Sequence, residues 1–505
     1  MQFVAADDMA EREDEQDGEK EPSNMFNLKI VVLLFSVSLK MLFFPAYRST
    51  DFEVHRNWLA ITSSLPLEQW YTDETSVWTL DYPPMFAYFE FGLGFIAKWV
   101  DDEMLILDNI PYASLETIVF QRLTVILFGD LAIFAAVQAH HASAYDLALL
   151  LLHPALLIVD NIHFQYNGFA IGALLLALAW LPDRRLAPLG AAFFAIALNL
   201  KQTLLFAVPA VTLVVLISAP ILQAVVSFSG VFLGIWLPFI KQTDVLIKRL
   251  FPFGRGLLHS YWAPNVWALI ASLDIFASAL IGGEPSPSTR GLIGFAEPFV
   301  IMPNPSPLGS LCMTILAMLP ALFYLALNKG DRRTKLLIAV SHSFLSAFVF
   351  GWHVHEKALL LAILPLCFVA GHHDRWCSVF RVLCMSGTLS MFPLLYEPAE
   401  LLPKYMLFLG FAAFLATTMN RNWTLIESVY YTGMIPIEIY STFVHTKVLP
   451  VGYEFVPQAL ISCYCAVGIV FAYCRSTSIL LSSISASKSQ SDDGGQGQPK
   501  ELKRD

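Results

Sequence analysis

Long apolar segments, separated by short polar stretches, repeat along most of this 505-residue chain. The first run extends from about residue 28 to 45, and the second begins after Pro83-Pro84 and ends before Asp101. More than ten further runs follow, and several of them are shorter than a bilayer-spanning helix of ~20 residues. The pattern predicts an all-α polytopic membrane protein with roughly 12–14 transmembrane helices.

The two ends of the chain lack this pattern. Residues 1–26 are polar and acidic, and residues 476–505 are rich in Ser, Gln, Gly and Lys. Such compositions cannot bury enough apolar surface to fold, so we expect a disordered acidic cytoplasmic tail at 1–26 and a second disordered tail at 476–505. Residues 27–475 are predicted to form one polytopic domain.

The stretch between the first two apolar runs, residues 47–84, differs from both of its neighbours. It contains six carboxylates and three tryptophans, which a short connection between two membrane helices does not need. Carboxylates flanked by interfacial aromatic side chains could meet a polar head group carried on a lipid. A solvated acidic loop is the alternative, and composition alone leaves both open.

Composition narrows the class of protein. Hydrophobic residues make up 56% of the chain and charged residues only 14%, the mean hydropathy is +0.59, and the net charge is −10. No basic face for nucleic acid is present. The seven cysteines fall almost entirely inside apolar runs, and His353 and His355 are two residues apart without an HxxxH pair. We therefore expect no disulfide framework, no metal site and no cofactor.

Basic residues in short loops indicate orientation across the membrane. The segment Lys329–Lys335 (KGDRRTK) is the most basic of these loops and is predicted to be cytoplasmic, which places residues 47–84 on the opposite face. The segment His353–Lys357 (HVHEK) lies one span beyond the basic loop. It is therefore predicted to share a face with residues 47–84 and to form a composite site with them.

Ionisable residues beside apolar runs are costly, by ~2.5 kcal/mol or more at membrane depth, so they are candidates for function. Lys201 lies between two apolar runs with no obvious partner, and His355 and Lys357 also border apolar runs. A helix end or a side chain that reaches to the interface is the alternative for each.

Six motifs make a family resemblance visible: STDFEVHRNW, LDYPP, HFQYNG, LNLKQ, RLFPFGRGL and VHEK. Together they resemble the endoplasmic reticulum glucosyltransferases that use dolichyl phosphate glucose, polytopic enzymes of the GT-C class, over about residues 30–450. Within that family, HSYWAPNVWAL and VHRNWLAITSSLP are most similar to the enzyme that adds the second glucose to the lipid-linked oligosaccharide.

The resemblance implies an inverting transfer with one general base and no cofactor or metal. It implies a multi-pass protein of the endoplasmic reticulum membrane whose large loop, residues 47–84, is lumenal and catalytic. The substrates would be dolichyl phosphate glucose and Glc1Man9GlcNAc2-PP-dolichol, joined by an α-1,3 linkage for protein N-glycosylation. Membrane lipid would surround the protein, and nucleic acid would not bind.

The resemblance also assigns roles to residues. Asp51 would be the base, with Glu53 as its nearest rival, and His355 would contact the phosphate of the glucosyl donor. Lys357, Lys201 and Arg255 are weaker candidates for the phosphate. If the segment at 355–357 is helical, at most one of His355 and Lys357 can reach the phosphate, and we expect it to be His355. Acceptor binding or site architecture is expected of Glu53, His55, Arg56, Trp58, Asp81, Tyr82 and Trp262.

Two alternatives remain open at this stage. One is the first-glucose transferase of the same family, which extends Man9GlcNAc2-PP-dolichol. The other is a transporter of a sugar or lipid with an acidic vestibule, although the polar loop occurs in only one half of the chain, whereas such transporters often have two similar halves.

Overall fold

The computed structural model describes residues 25–252, 256–259, 262–281, 299–419, 423–449, 453 and 455–493. Regular structure in these residues is helical, and they form no strand, so the prediction of an all-α protein is confirmed. The helices are α1 (25–41), α2 (Thr50–Ser64), α3 (Pro84–Val100), α4 (Leu115–Ala139), α5 (Ala144–Leu151), α6 (Pro154–Phe164), α7 (Asn167–Trp180), α8 (Ala187–Leu200), α9 (Val208–Ser218), α10 (Ile221–Trp236), α11 (Thr243–Leu250), α12 (Val266–Ile281), α13 (Pro307–Leu327), α14 (Arg332–Phe350), α15 (Leu360–Ala370), α16 (Asp374–Ser390), α17 (Leu401–Thr418), α18 (Leu425–Ile439), α19 (His445–Val448) and α20 (Phe455–Asp493).

Seven helical segments of the described residues are long and apolar enough to cross a membrane. They are Leu115–Ala139, Ile221–Leu250, Pro307–Leu327, Arg332–Phe350, Asp374–Leu394, Pro398–Thr418 and Phe455–Ser487. The bent pair α5 and α6 adds an eighth if it counts as one span, and four further apolar helices are only 10–17 residues long. The 12–14 spans expected from the sequence include such shorter helices, so that number stays a prediction.

Much of the acidic stretch 47–84 folds as the helix α2. Ser49 is the extended N-cap residue, and Asp51 and Glu53 lie in the first turn, where carboxylates interact favourably with the positive end of the helix dipole. The helix ends before Leu65-Pro66, because the residue before a proline disfavours helical geometry. Pro84 then occupies the first turn of α3, where its missing N–H costs nothing.

The break between α5 and α6 shapes the region below α2. The chain bends by 41° there, and Pro154, which lacks an N–H group, opens α6. From Leu157 to Phe164 the helix is π-helical, and it ends at Phe164 in the left-handed region with φ of 91°. Such wide turns and strained backbone are frequent at functional sites, and His163 lies in this turn.

Helices α4 and α7 approach closely where each carries a glycine. A Cβ atom on Gly168 would lie 3.4 Å from the Cα of Gly129 and 3.3 Å from Oδ2 of Asp160. The same backbone donates its N–H to that Asp160 oxygen at 2.6 Å. A larger residue at 168 would therefore push α6 and α7 apart just beyond the turn that carries His163.

Among the described residues, three buried ion pairs formed by Lys or Arg join helices inside the bundle: Lys40–Asp130, Arg381–Glu427 and Lys404–Glu438. Lys40, which interrupts the first apolar run, lies on α1 and meets Asp130 on α4, to which Ser36 also donates at 3.0 Å. A charge in an apolar surrounding is tolerable only with such a partner. These pairs explain how the long apolar helices accommodate ionisable residues.

The end of the chain differs from the expectation. Helix α20 continues to Asp493, well into the segment 476–505 that the sequence indicated as a disordered tail. Ile479, Leu480 and Ile484 are buried at helical spacing, and Ser476 is hydrogen-bonded to His342 on α14 at 2.7 Å. These apolar side chains pack the extension against the bundle. The serine-rich composition around them made the segment look disordered in the sequence. Residues 1–24 and 494–505 lie outside the described residues.

Candidate active site

A cavity of about 670 Å³ opens where α2, the turn at the end of α6 and the segment 352–358 meet. Eight residues expected from the sequence to act at the site line it: Asp51, His55, Trp58, Asp81, Tyr82, Lys201, His355 and Lys357. The structure thus brings together segments separated by about 300 residues. The acidic stretch 47–84 and the HVHEK segment form one composite site, as the sequence predicted.

Asp51 is the most heavily bonded of these side chains. Lys357 Nζ donates to its Oδ2 at 2.8 Å, Gln165 Nε2 donates to the same atom at 2.6 Å, and His163 Nε2 lies 3.1 Å away. All three contacts converge on Oδ2. The other oxygen, Oδ1, is left for a donor from outside the described residues, such as a substrate hydroxyl.

The tautomer of His163 follows from its neighbours. Lys357 Nζ lies 2.8 Å from His163 Nε2, and an ammonium group has only protons to offer, so this ring nitrogen accepts. The proton of the ring is then on Nδ1, which donates to the hydroxyl of Tyr47 at 2.7 Å. Oδ2 of Asp51 and Nε2 of His163 are therefore two acceptors joined by one ammonium group.

Arg122 on α4 holds the two chain segments that carry Asp51 and His163. Its guanidinium donates to the carbonyl oxygens of Ala46 and Tyr47 at 3.1 and 2.9 Å, and to that of Asn161. It is 2% exposed. One buried side chain thus ties the chain just before α2 to the π-helical turn, and it fixes Asp51 relative to the imidazole of His163.

Electrostatics keep Asp51 charged. Burial raises the pKa of this carboxyl group, but the ammonium of Lys357 and the nearby His163 together outweigh burial. The net effect holds the pKa of Asp51 well below its usual range. In this arrangement the carboxylate is ionised and paired.

His355 has the opposite electrostatics. Burial, followed by the nearby His259 and Lys357, depresses the pKa of its imidazole well below the usual value. The ring packs against that of His259 with centroids 4.1 Å apart. His355 is therefore a neutral hydrogen-bonding group at neutral pH, and Lys357 is the cation beside it.

The helical premise used for residues 355–357 does not hold in the structure. His355 is extended, with φ of −93° and ψ of 149°, and only the following residues, Glu356–Leu359, form a short 3-10 turn. The expectation that only one of His355 and Lys357 can reach a phosphate was tied to a helix. An extended residue before a turn allows both side chains to face the same cavity, and both do line it.

Three side chains here have the chemistry of metal ligands. His259, His355 and Glu356 each place one candidate atom within 4.8 Å of the others, and Oε2 of the buried Glu356 has no hydrogen-bond partner in the described residues. Burial raises the pKa of this carboxyl group. Spacing in the sequence did not indicate this grouping, because residue 259 lies on a different segment. The expectation of no metal therefore stays a prediction that chelation can test.

An aromatic wall closes the side of the cavity next to Asp51. The rings of Trp58 and Tyr82 lie 5.0 Å apart, and His55 packs edge-on against Trp58 at 4.8 Å. His55 is bonded through Nδ1 to the buried carboxylate of Glu90 at 3.2 Å. His55 follows Asp51 by one turn of α2, and its partner, Glu90, lies on α3.

Lys201 places a second ammonium group near Asp51, without contacting it directly. Its ammonium donates to Asn167, whose amide donates to Gln165 at 3.0 Å, and Gln165 in turn holds Asp51. It also lies 5.5 Å from the centre of the Tyr82 ring. The sequence did not reveal a partner for Lys201. In the structure, two side-chain amides connect this lysine indirectly to Asp51.

Three expected site residues lie away from the cavity. Glu53 binds Arg56 at 2.7 Å and accepts from the backbone N–H of Tyr112 at 3.0 Å. Arg56 is fully buried and donates to the carbonyl oxygens of residues 104 and 106. Trp262 packs in a separate apolar cluster with Trp267. Arg255 lies outside the described residues.

Comparison with known proteins gives the family of this chain. The model of the ALG6, ALG8 glycosyltransferase family matches residues 36–476, most of the chain. The chain belongs to this family. It is 39% identical to the dolichyl pyrophosphate Glc1Man9GlcNAc2 alpha-1,3-glucosyltransferase of Mus musculus, over 90% of this chain and 95% of the relative. The Arabidopsis thaliana protein of the same name is also 39% identical, over 88% and 96%.

A third relative, the "probable" enzyme of that name from Drosophila melanogaster, is 39% identical over 87% of this chain and 91% of its own length. The family resemblance read from six motifs is thus confirmed. The protein is a polytopic, all-α member of the ALG6, ALG8 glycosyltransferase family.

Sequence reasoning did not assign four of the residues that surround Asp51: Tyr47, Arg122, His163 and Gln165. His163 and Gln165 belong to the HFQYNG motif, which drew attention without a role. Arg122 is a charge inside an apolar run, the same signal that singled out Lys201. These signals mark residues as unusual. Only the fold shows that His163 and Gln165 contact Asp51, and that Arg122 holds the segments on either side.

Proposed function

We propose that this chain transfers glucose from dolichyl phosphate glucose to Glc1Man9GlcNAc2-PP-dolichol, with inversion and in an α-1,3 linkage, for protein N-glycosylation. The observation that supports this most directly is the cavity of a family glycosyltransferase in which one oxygen of Asp51 has no partner among the described residues and can meet a substrate hydroxyl. The names of the relatives support the choice of acceptor.

Inversion requires one in-line displacement and one base. Asp51 fits the base, because three neighbours hold Oδ2 while Oδ1 has no hydrogen-bond partner in the part of the chain that the structure describes. The acceptor 3-hydroxyl gives its proton to Asp51 as its oxygen bonds to C1 of the glucose. The bond between C1 and the phosphate oxygen breaks, and its electron pair leaves with dolichyl phosphate.

The leaving phosphate gains negative charge, so the site must offer fixed hydrogen-bond donors or positive charge. His355 is our candidate for direct contact, as a neutral hydrogen-bond donor, with the ammonium of Lys357 in the same cavity. The transfer in this scheme needs no metal. The rings of Trp58 and Tyr82 suit stacking against a sugar of either substrate.

The site is proposed to face the lumen of the endoplasmic reticulum. Support comes from the basic segment Lys329–Lys335, which favours the cytoplasm, and from the helix α14 that separates it from His355. A cysteine placed at residue 78 and one at 352 should both react with an impermeant maleimide from the lumenal side only. A cysteine at 332 should react from the cytosolic side. Labelling of residues 78 and 352 from opposite sides would contradict the proposal.

Reconstitution of the purified protein in liposomes tests the activity. Dolichyl phosphate glucose is supplied with either Man9GlcNAc2-PP-dolichol or Glc1Man9GlcNAc2-PP-dolichol, and the product is analysed for a new α-1,3-linked glucose. Transfer to the monoglucosylated acceptor alone is the expected result. Transfer to Man9GlcNAc2-PP-dolichol would identify a first-glucose enzyme, and movement of lipid or sugar without bond formation would identify a transporter.

A further inference from the structure

The ammonium of Lys357 is bonded directly to the carboxylate that we propose as the base. It lies 2.8 Å from Oδ2 of Asp51 and 2.8 Å from Nε2 of His163. Of the cations whose contacts the structure describes, Lys357 forms the direct ion pair with Asp51, whereas Lys201 reaches it only through two amides. The charge expected to help the leaving phosphate is thus paired with the base.

This pairing is unsuited to proton transfer. A base works best when its affinity for a proton matches the working pH, and a carboxylate held by an ammonium group is a poor proton acceptor. In addition, the same ammonium is shared with Nε2 of His163, which lies 3.1 Å from Oδ2. The arrangement therefore describes a resting site that must change before transfer.

The side chain of Lys357 is free to move its ammonium group away from Asp51. Its side chain is 14% exposed and that of Asp51 is 27% exposed, and both line the cavity. The ammonium sits on a flexible four-carbon chain, so it can swing within the cavity at little cost. Arg122, in contrast, is buried and donates to several backbone carbonyl groups. It offers no comparable freedom.

We propose that Lys357 is a mobile counterion that couples binding of the glucosyl donor to activation of the base. In the site without substrate its ammonium neutralises Asp51. When the phosphodiester of the glucosyl donor enters, the ammonium moves to the phosphate and leaves the carboxylate unpaired. This inference rests on the proposed function, since it assumes that the phosphate occupies this cavity.

The charges balance through the reaction. The phosphodiester arrives with one negative charge. The ammonium of Lys357 pairs with it, and Asp51 is left as an unpaired carboxylate. Attack by the acceptor oxygen moves its proton to Asp51 and releases dolichyl phosphate with a second negative charge. Lys357 thus stands beside the group whose negative charge grows, and the carboxylate that lost its counterion is neutralised by the proton. The acceptor is activated only after the glucosyl donor has bound.

A double-mutant cycle on binding of the glucosyl donor tests the proposal. The variants are Asp51→Asn, Lys357→Met and the double variant, each as the full chain in lipid nanodiscs with labelled dolichyl phosphate glucose and no acceptor. Wild-type protein must break the Asp51–Lys357 pair to bind, and Asp51→Asn must not. We therefore expect Asp51→Asn to bind roughly three- to tenfold more tightly than wild type, although it cannot transfer glucose.

In the Lys357→Met background the same change at Asp51 should leave affinity unaltered, because no counterion remains to be released. Glu68→Gln is the matched control, since it removes one negative charge from an exposed position of the same 47–84 stretch, outside the cavity lining. Its effect on affinity should be small and the same in both backgrounds. Lys357→Arg should restore the tightening by Asp51→Asn, because the charge is kept.

Three results would overturn the proposal. Asp51→Asn could bind the glucosyl donor no more tightly than wild type, it could bind more weakly, or it could tighten binding equally in the Lys357→Met background, which would be a general effect of charge. Asp51→Ser serves if the asparagine variant does not fold, as judged by thermal unfolding. A wild-type protein that neither binds nor uses dolichyl phosphate glucose would instead refute the proposed function.

Discussion

Two ion pairs of the described residues, Lys40–Asp130 and Lys357–Asp51, differ in how completely they are enclosed. Lys40 and Asp130 join α1 to α4 with side chains that are each 3% exposed, and Ser36 adds a further bond to the same carboxylate. Lys357 and Asp51 meet at the cavity, 14% and 27% exposed, and one carboxylate oxygen is left unbonded by the described residues.

The chemistry of the two pairs is the same, an ammonium on a carboxylate. The enclosed pair is closed to any ligand, so it serves the packing of helices. The cavity pair has an open side through which a phosphate or a hydroxyl group can compete. Enclosure therefore separates a structural pair from a pair that can take part in a reaction.

Removal of the cavity carboxylate should give the largest effect on turnover. Asp51→Asn keeps the size of the side chain but cannot accept the proton, so we expect glucosyl transfer to fall by about 10²–10⁴-fold with normal folding. Single-turnover transfer with saturating substrates measures this. Glu53→Gln is the control, since Glu53 is bonded to Arg56 away from the cavity. It should retain most of its turnover per folded molecule, and the reverse outcome would make Glu53 the base.

Removal of one partner from the enclosed pair should affect stability. Lys40→Met leaves Asp130 buried without its counterion, which typically costs about 3–5 kcal/mol. Thermal unfolding in detergent should show a large loss, while turnover per folded molecule stays near that of the wild type. Replacement of both residues, as Lys40→Met with Asp130→Leu, should recover most of the stability. A Lys40→Met protein that is as stable as wild type but has poor turnover would contradict the assignment of the enclosed pair to stability alone.

The cavity pair should make a smaller, pH-dependent contribution to stability. The pKa of Asp51 in the folded protein is below its usual value, which is about 3.9 in an unfolded chain. A depressed pKa contributes stability above the unfolded value, and that stability is lost as the pH falls through the folded one. The difference in unfolding temperature between wild type and Asp51→Asn should be constant from about pH 8 to 5 and should shrink below about pH 4. A difference that grows on acidification would contradict the pairing.

Chelation should give no effect. The grouping of His259, His355 and Glu356 could hold a divalent cation, but the proposed transfer relies on His355 and Lys357 instead. Turnover measured after treatment with EDTA and with 1,10-phenanthroline should equal that of untreated protein. If chelation lowers turnover, if one divalent cation restores it, and if the Glu356→Gln variant does not recover in the same way, a metal ion acts in the cavity.

The pattern of the sequence determined the class of the protein and the main segments of the site. Apolar periodicity was enough for an all-α membrane protein, since long apolar runs can satisfy their backbone groups only as helices in a bilayer. The six motifs identified the family, and the parity of spans correctly indicated that residues 47–84 and the HVHEK segment come together. Asp51, Lys201, His355 and Lys357 all line the cavity.

Tertiary structure decided which polar residues meet. The carboxylates Asp51 and Glu53 are two residues apart in the same turn, yet one faces the cavity and the other faces Arg56 and Tyr112, because the helix turns by about 100° per residue. The sequence could not show that Lys357 contacts Asp51, which lies 306 positions away. It also could not show that His163 and Arg122 complete the arrangement. Such contacts depend on how helices cross, and local spacing carries no information about them.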